Sequence, residues 1–366
     1  MKRYIFLVAA VALATVSCSK TYDTNKNAGE GMPINIGSWA NHLTRARGAG
    51  GSAFADGDKF FVYSYTPTTA SQFDGTVVST TDGTTWTYSP TRYWNRDNDY
   101  YDFYAISPSE DVAESAIVNA HTLSTGVFES KALTLAGNDN DILVADKKHV
   151  LKANYGQDVQ LNFRHINALF DLKVRKGAGI GDGVLKVTAV ALENIKNAGK
   201  FDVTGYSEAP ADPVDTAIVA WTPSGTGTYT DASGVNEVTT ISGATAITTA
   251  GDQYLINNLV VMPQAFAADA QRLKISYTIT TGEAPNQQVN TFTNKTYDLI
   301  LFDKTDYPTD DDTNTDGNQY NDGTKVSGWA AGVHYTYIIT IDAEAINFTA
   351  QVEPWGVEGG YYYILN

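Results

Sequence analysis

In "LKISYTIT" the apolar residues Leu273, Ile275, Tyr277 and Ile279 alternate with Lys274, Ser276, Thr278 and Thr280. Period-two alternation predicts a strand with one buried and one polar face. "VHYTYIITID" repeats it through Val333, Tyr335, Tyr337, Ile339 and Ile341, and "INFTAQVEPW" through Ile346, Phe348, Ala350 and Val352. In "VQLNFRHINALFDLKVRK" the phase changes. Val159, Leu161 and Phe163 are apolar at odd numbers, whereas Ala168, Phe170, Leu172 and Val174 are apolar at even ones. The flip near "HIN" predicts a bulge or short connection between two strand segments. In "STTDGTTWTY", Asp82-Gly83 between two strand-like arms predicts a tight hairpin.

No long stretch shows helical periodicity. The Thr/Gly/Ser-rich segment 223–252 is expected as a long loop or hairpin, and the acidic segment 303–325 as a loop. Many short strands separated by turns predict an all-β chain of two tandem sandwiches. The glycine cluster "KGAGIGDG" at 176–183 marks the expected boundary. Its phosphate-loop likeness carries little weight, because the GK[ST] ending is missing and a strand pattern follows.

The first residues change the picture. "MKRYIFLVAAVALATVSCSK" has a basic start, an apolar run from Tyr4 to Ala14, and small residues before Cys18. The run is too short to span a bilayer and reads as a signal peptide over 1–17. "TVSC" resembles a bacterial lipobox, which makes Cys18 the lipidated first residue of the exported chain. Cys18 is also the one cysteine of the 366 residues, so an intramolecular disulfide is excluded. A single acyl-bearing residue anchors by chain burial, about 0.8 kcal/mol per CH₂. The expected location is the outer membrane or cell surface. A net charge of −16, from 41 Asp plus Glu against 25 Lys plus Arg, excludes nucleic-acid binding as the main role.

Candidate chemistry is sparse. His42, His121, His149, His165 and His334 form no HExxH or HxH arrangement, and there is no GxSxG elbow. His165, at the phase break, is expected as a hydrogen-bonded structural residue. The chain is not expected to be an enzyme. "DTNTDG" offers Asp312, Asn314 and Asp316 at alternate positions as in a calcium loop, with Gly317 for the turn. The closing glutamate is absent, since Gly323 stands there. A solvated acidic loop is the plainer reading, with calcium the alternative. The aromatic runs "WTYSPTRYW" and "YYDFY" suggest either a sugar-binding platform or cross-strand core pairs.

Several landmarks in order resemble the fimbrillins, the major and accessory subunits of type V pili of Gram-negative bacteria. They are "INIGSWANHLTRARGAGGSAFADGDKFFVYSY", "YYDFYAISP", "DILVADKKHV" with "VQLNFRHINALFDLKV", "VVMPQ", and the closing "YTYIITIDAEAINFTAQVEPWGVE". The resemblance implies two transthyretin-like β-sandwich domains after a lipoprotein signal. It also implies cleavage by an arginine-specific protease, loss of the first strand, and filling of the exposed groove by a neighbouring subunit's donor strand. On that reading Cys18 is the lipidation site and 18–47 the propeptide including "MPINIGSW", with Ile34 and Ile36 on its apolar face. Cleavage falls after Arg45 or Arg47. Residues 48–180 form the N-terminal and 181–366 the C-terminal sandwich. The tail after Trp355, with Tyr361, Tyr363 and Leu365 in alternation, is a donor candidate or an ordinary last strand. Loss of residues 1–47 removes six Lys/Arg and two Asp/Glu, taking the charge from −16 to −20. The implied partners are other pilus subunits, the protease and, through the lipid, the outer membrane. The alternative left open is a surface-anchored glycan- or ligand-binding lipoprotein that does not polymerise.

Overall fold

The computed structural model describes residues 31–38, 54, 56–67, 72–107, 122–124, 127–130, 133–134, 141–161, 163–203, 219–224, 227–230, 247, 252–305, 325–343 and 345–354. Among these residues the chain is all β, with 3₁₀ turns and no α-helix. The strands gather into sheets around three apolar clusters.

The first cluster lies under a six-stranded sheet. Its strands run in the order Arg164–His165, Leu143–Leu151, Tyr100–Ser107, Lys59–Tyr65, Thr76–Thr80 and Trp86–Thr87. A two-stranded parallel sheet, Ile36–Ser38 with Val159–Leu161, covers one face. Between them lie Ile34, Ile36, Phe60, Val62, Phe103, Leu161 and Phe163. The predicted hairpin is present, with Thr80 opposite Trp86. It closes through a wider loop, because Asp82 folds back on the loop amides and Gly83 takes φ +75°.

The second cluster is a sandwich of two sheets. One has the order Gln253–Val261, Ala168–Lys176, Val333–Ile341, Ile346–Pro354, Asp303–Thr305. The other has the order Gly227–Thr230, Val184–Ile195, Arg272–Thr281, Gln288–Asp298. The alternating residues read from sequence face inward: Leu273, Ile275, Tyr277, Ile279, Tyr335, Tyr337, Ile339, Ile341, Ala350 and Val352 are all buried here. From segment 223–252, Gly227–Thr230 joins this sandwich, and Ile247 bridges to Leu185.

The phase flip at "HIN" has a clear origin. Val159, Leu161 and Phe163 serve the first cluster, and Ala168, Phe170, Leu172 and Val174 serve the second. The chain changes core between Phe163 and Ala168. The glycine cluster holds the 3₁₀ turn Ala178–Ile180, which carries the chain between the two sheets of the second sandwich. The reason is packing: the alternation must invert where the buried side passes from one core to another, and the glycines only relieve a turn.

The third cluster ties the halves together. Ala198–Val203 pairs with Val219–Ser224 on one edge and with Val127–Glu129 and Leu133–Thr134 on the other. Its Phe201 and Val203 pack with Phe61, Tyr63, Tyr104, Ile106, Ile142, Val144 and Ile166 from the outer face of the six-stranded sheet and its margin. The Ser130 N–H donates to the Phe201 carbonyl and the Phe201 N–H to the Ser130 hydroxyl, both at 2.8 Å. Strands from both halves of the sequence thus share one sheet, which alternation alone does not reveal.

Candidate groove around the first strand

Ile34 and Ile36 sit two residues apart, so an extended backbone points both the same way. Both are buried in the first cluster, while Asn35 between them is exposed. Main-chain bonds hold the segment from two sides. The Ile34 N–H donates to the Arg92 carbonyl at 2.9 Å, and the Trp94 N–H to the Met32 carbonyl at 2.9 Å. On the opposite edge the Val159 N–H donates to the Asn35 carbonyl at 2.8 Å. The Tyr88 hydroxyl donates to the Ile34 carbonyl. Burial pushes the Tyr88 phenol above its ordinary range, which keeps it a donor.

Aromatic rings build the floor. Phe60 lies 4.9 Å from Phe163 and 4.5 Å from Trp86, centroid to centroid. Trp94 stacks on Tyr155 at 4.4 Å. At Gly37 the Gln160 side chain lies against the Cα, so that a Cβ would come within 2.6 Å of its amide nitrogen. Residues 34–38, Thr84–Tyr88, Thr91, Asp158 and Gln160 line an open cavity of about 520 Å³. The arrangement can hold an extended segment by β-pairing and apolar burial. Without it, the edge of Val159–Leu161 and the rings beneath would be bare, which is costly.

The remaining candidates separate cleanly. Cys18, Arg45, Arg47, Asp312, Asn314, Asp316, Tyr361, Tyr363 and Leu365 lie outside the described residues, as do His42 and His121. His165 is buried and its Nδ1 lies 3.0 Å from Asp141 Oδ1, the structural bond expected of it. His334 likewise meets buried Asp171 at 2.9 Å. Among the described residues no group of three or more His, Cys, Asp or Glu could hold a metal ion. No helix among them is long and apolar enough to cross a membrane, which says nothing of a β-barrel. Of the aromatic runs, Trp94, Tyr101, Phe103 and Tyr104 are core, and Tyr93 is exposed. Reading the sequence missed Tyr88, Trp86 and Gln160 as parts of the groove. Their only local sign is position beside a hairpin and a strand, and their contacts are long-range.

Comparison with known proteins then places the chain. The sequence profile of the fimbrillin-like family matches residues 44–355, opening one residue ahead of Arg45. No curated protein matches. Among solved structures, a fimbrial protein from Bacteroides vulgatus is similar at 16% identity and a TM-score of 0.53. That match covers 88% of this chain and 99% of the other. A protein ascribed to cell adhesion from Bacteroides uniformis shares 14% identity at a TM-score of 0.46, covering 88% and 98%. A fimbrilin from Porphyromonas gingivalis shares 11% identity at 0.39, covering 90% and 99%. At such identities structural likeness speaks for the fold alone. The profile match runs along most of the sequence, and on that ground the chain belongs to the fimbrillin-like family.

Proposed function

We propose that the chain is a structural pilus subunit, exported as a lipoprotein through Cys18 and displayed at the cell surface for adhesion. It is not an enzyme on this reading. An arginine-specific protease cuts after Arg45 or Arg47 and frees the segment that includes residues 32–38. The vacated groove accepts a strand from a neighbouring subunit, the alternating tail Tyr361, Tyr363, Leu365. A head-to-tail contact of this kind does not close, and so builds a filament.

One observation carries the reading. The first strand gives Ile34 and Ile36 to the first core and is fixed mainly by backbone bonds, yet it lies upstream of the arginine pair. A segment held in that way can be exchanged for another of similar alternation. Family membership and the fimbrial neighbour from Bacteroides vulgatus agree with it.

The test is proteolysis of the secreted precursor with an arginine-specific protease. A product beginning at Ala46 or Gly48 that polymerises is expected. Substituting both arginines by alanine should abolish polymers while leaving the melting temperature unchanged. A precursor that is cut and stays monomeric, with residues 32–38 lost, overturns the assembly role. A protein that keeps Cys18 as its first residue on cells and binds carbohydrate would favour the anchored binding lipoprotein.

A further inference from the structure

The second sandwich carries a long strand at the margin of one sheet, Gln288–Asp298. It pairs along one edge, with Arg272–Thr281. Among the described residues no strand pairs with its other edge, and the side chains of residues 288–291 and 293–296 are all exposed. A long open edge is a template for a strand from another chain.

Two features interrupt the template. The first is a bulge. Phe292 stands opposite Tyr277 and Lys295 opposite Ile275, so Thr293 and Asn294 together face Ser276. Asn294 takes φ +51°, and its N–H donates to the Ser276 hydroxyl at 2.9 Å. A bulge bends the strand and sharpens its twist, which spoils the fit of a straight partner. The second feature is Lys295. Opposite residues of an antiparallel pair share a face. Ile275 and Tyr277 are buried in the second core. Phe292 lies on that side, its ring stacked on Tyr277 at 4.6 Å, and so does Tyr297, whose ring lies 4.8 Å from Phe348 of the facing sheet. Lys295 stands between these two rings on the core side. The bulge puts it there, since the inward positions are even before it, Asn290 and Phe292, and odd after it, Lys295 and Tyr297. At an open edge the ammonium still reaches water. A strand added outside would cover it, and burying a charge is costly. The edge beneath the first strand has no such guard. There Val159 and Leu161, the inward residues, are both apolar.

We propose that Gln288–Asp298 is a guarded edge: the bulge and Lys295 bar strand addition along this side of the second sandwich and so steer it toward the first core. The guard acts on any incoming strand, and it does not depend on the strand exchange proposed above.

The test uses the uncleaved precursor in detergent, so that the first strand is retained. Sedimentation velocity reads self-association, and hydrogen exchange over residues 288–298 reads its location. With Asn294 deleted, pairing becomes one-to-one while Lys295 stays inward. Deletion of Asn294 combined with Lys295→Val should bring association at a concentration at least about tenfold below wild type. Exchange over 288–298 should then slow as concentration rises. Lys295→Val alone leaves the backbone as it is and should shift association in the same direction, which preserves the test if the deletion does not fold. Lys295→Arg keeps the charge, and Thr296→Val adds an apolar residue on the outer face; both should behave as wild type. The inference is overturned if Lys295→Val associates no more readily than wild type, or if it associates with exchange over 288–298 unchanged. Concentration-dependent protection of this strand in wild type overturns it equally. Cleavage and polymerisation bear on strand exchange alone, so the two readings fail separately.

Discussion

Asp82 shows how much one exposed side chain can organise. Its carboxylate accepts the N–H groups of Thr84 at 2.8 Å and Thr85 at 2.6 Å, and the Thr85 hydroxyl at 2.7 Å. These bonds, the Thr85 amide foremost, hold its pKa far below the ordinary carboxylate value. A carboxyl depressed in the folded state stabilises it above its unfolded pKa, near 4, and loses that contribution as pH falls toward the lowered value. Asp82→Ala is therefore expected to lower the melting temperature by a few degrees at pH 7. The gap to wild type should shrink steadily below about pH 4. A gap that stays constant down to strongly acidic pH would contradict this role. The consequence is local and functional, since the loop that Asp82 shapes leads directly into Trp86 and Tyr88 of the groove wall.

At the scale of the element, the first strand gives Ile34 and Ile36 to a core that other strands build, and the proposed function requires that it can leave. Replacing a buried isoleucine by alanine ordinarily costs about 2–5 kcal/mol, including the cavity left behind. Here the cost has a ceiling. Once Ile36→Ala makes the strand's attachment weaker than its detachment, the strand leaves and the remaining sheets keep their own fold. Ile36→Ala should thus speed hydrogen exchange at Val159–Leu161 far more than at Arg272–Thr281. Equal acceleration in both strands would mean that the first strand is integral to global stability. Much of this element was legible beforehand. The alternation of Ile34 and Ile36 marks a strand with one buried face. Its partner was not, because parallel pairing to Val159–Leu161 joins segments far apart in the chain and leaves no local signature. The same limit applies to the passage between cores. The phase flip between Phe163 and Ala168 was visible, but that it hands the chain from one core to another depends on what lies across each sheet. Turn formers such as Gly177, Gly179 and Gly181 are more conspicuous in sequence than a change of packing partner.

In the whole molecule, the shared sheet decides how the halves behave together. Phe201 is fully buried and joins residues from the six-stranded sheet to a strand of the later sequence. Truncating a buried phenylalanine costs about 3–5 kcal/mol. Phe201→Ala should cost that much and also uncouple the first core from the second, turning one calorimetric transition into two. A single transition, merely shifted, would show that other contacts suffice to couple them. The same sheet has a mechanical meaning. On the proposed head-to-tail assembly, a pull would enter each subunit at the first core and leave it from the second. It must cross the ties between them. The described main-chain pairings from Ala198–Val203 to the early strands are short: Asp202 with Glu129, Val203 with Phe128, Ala198 with Thr134 and Gly199 with Leu133. On the proposed assembly, the aromatic cluster around Phe201 would bear tension along the fibre, and truncating it would lower the force at which a subunit stretches.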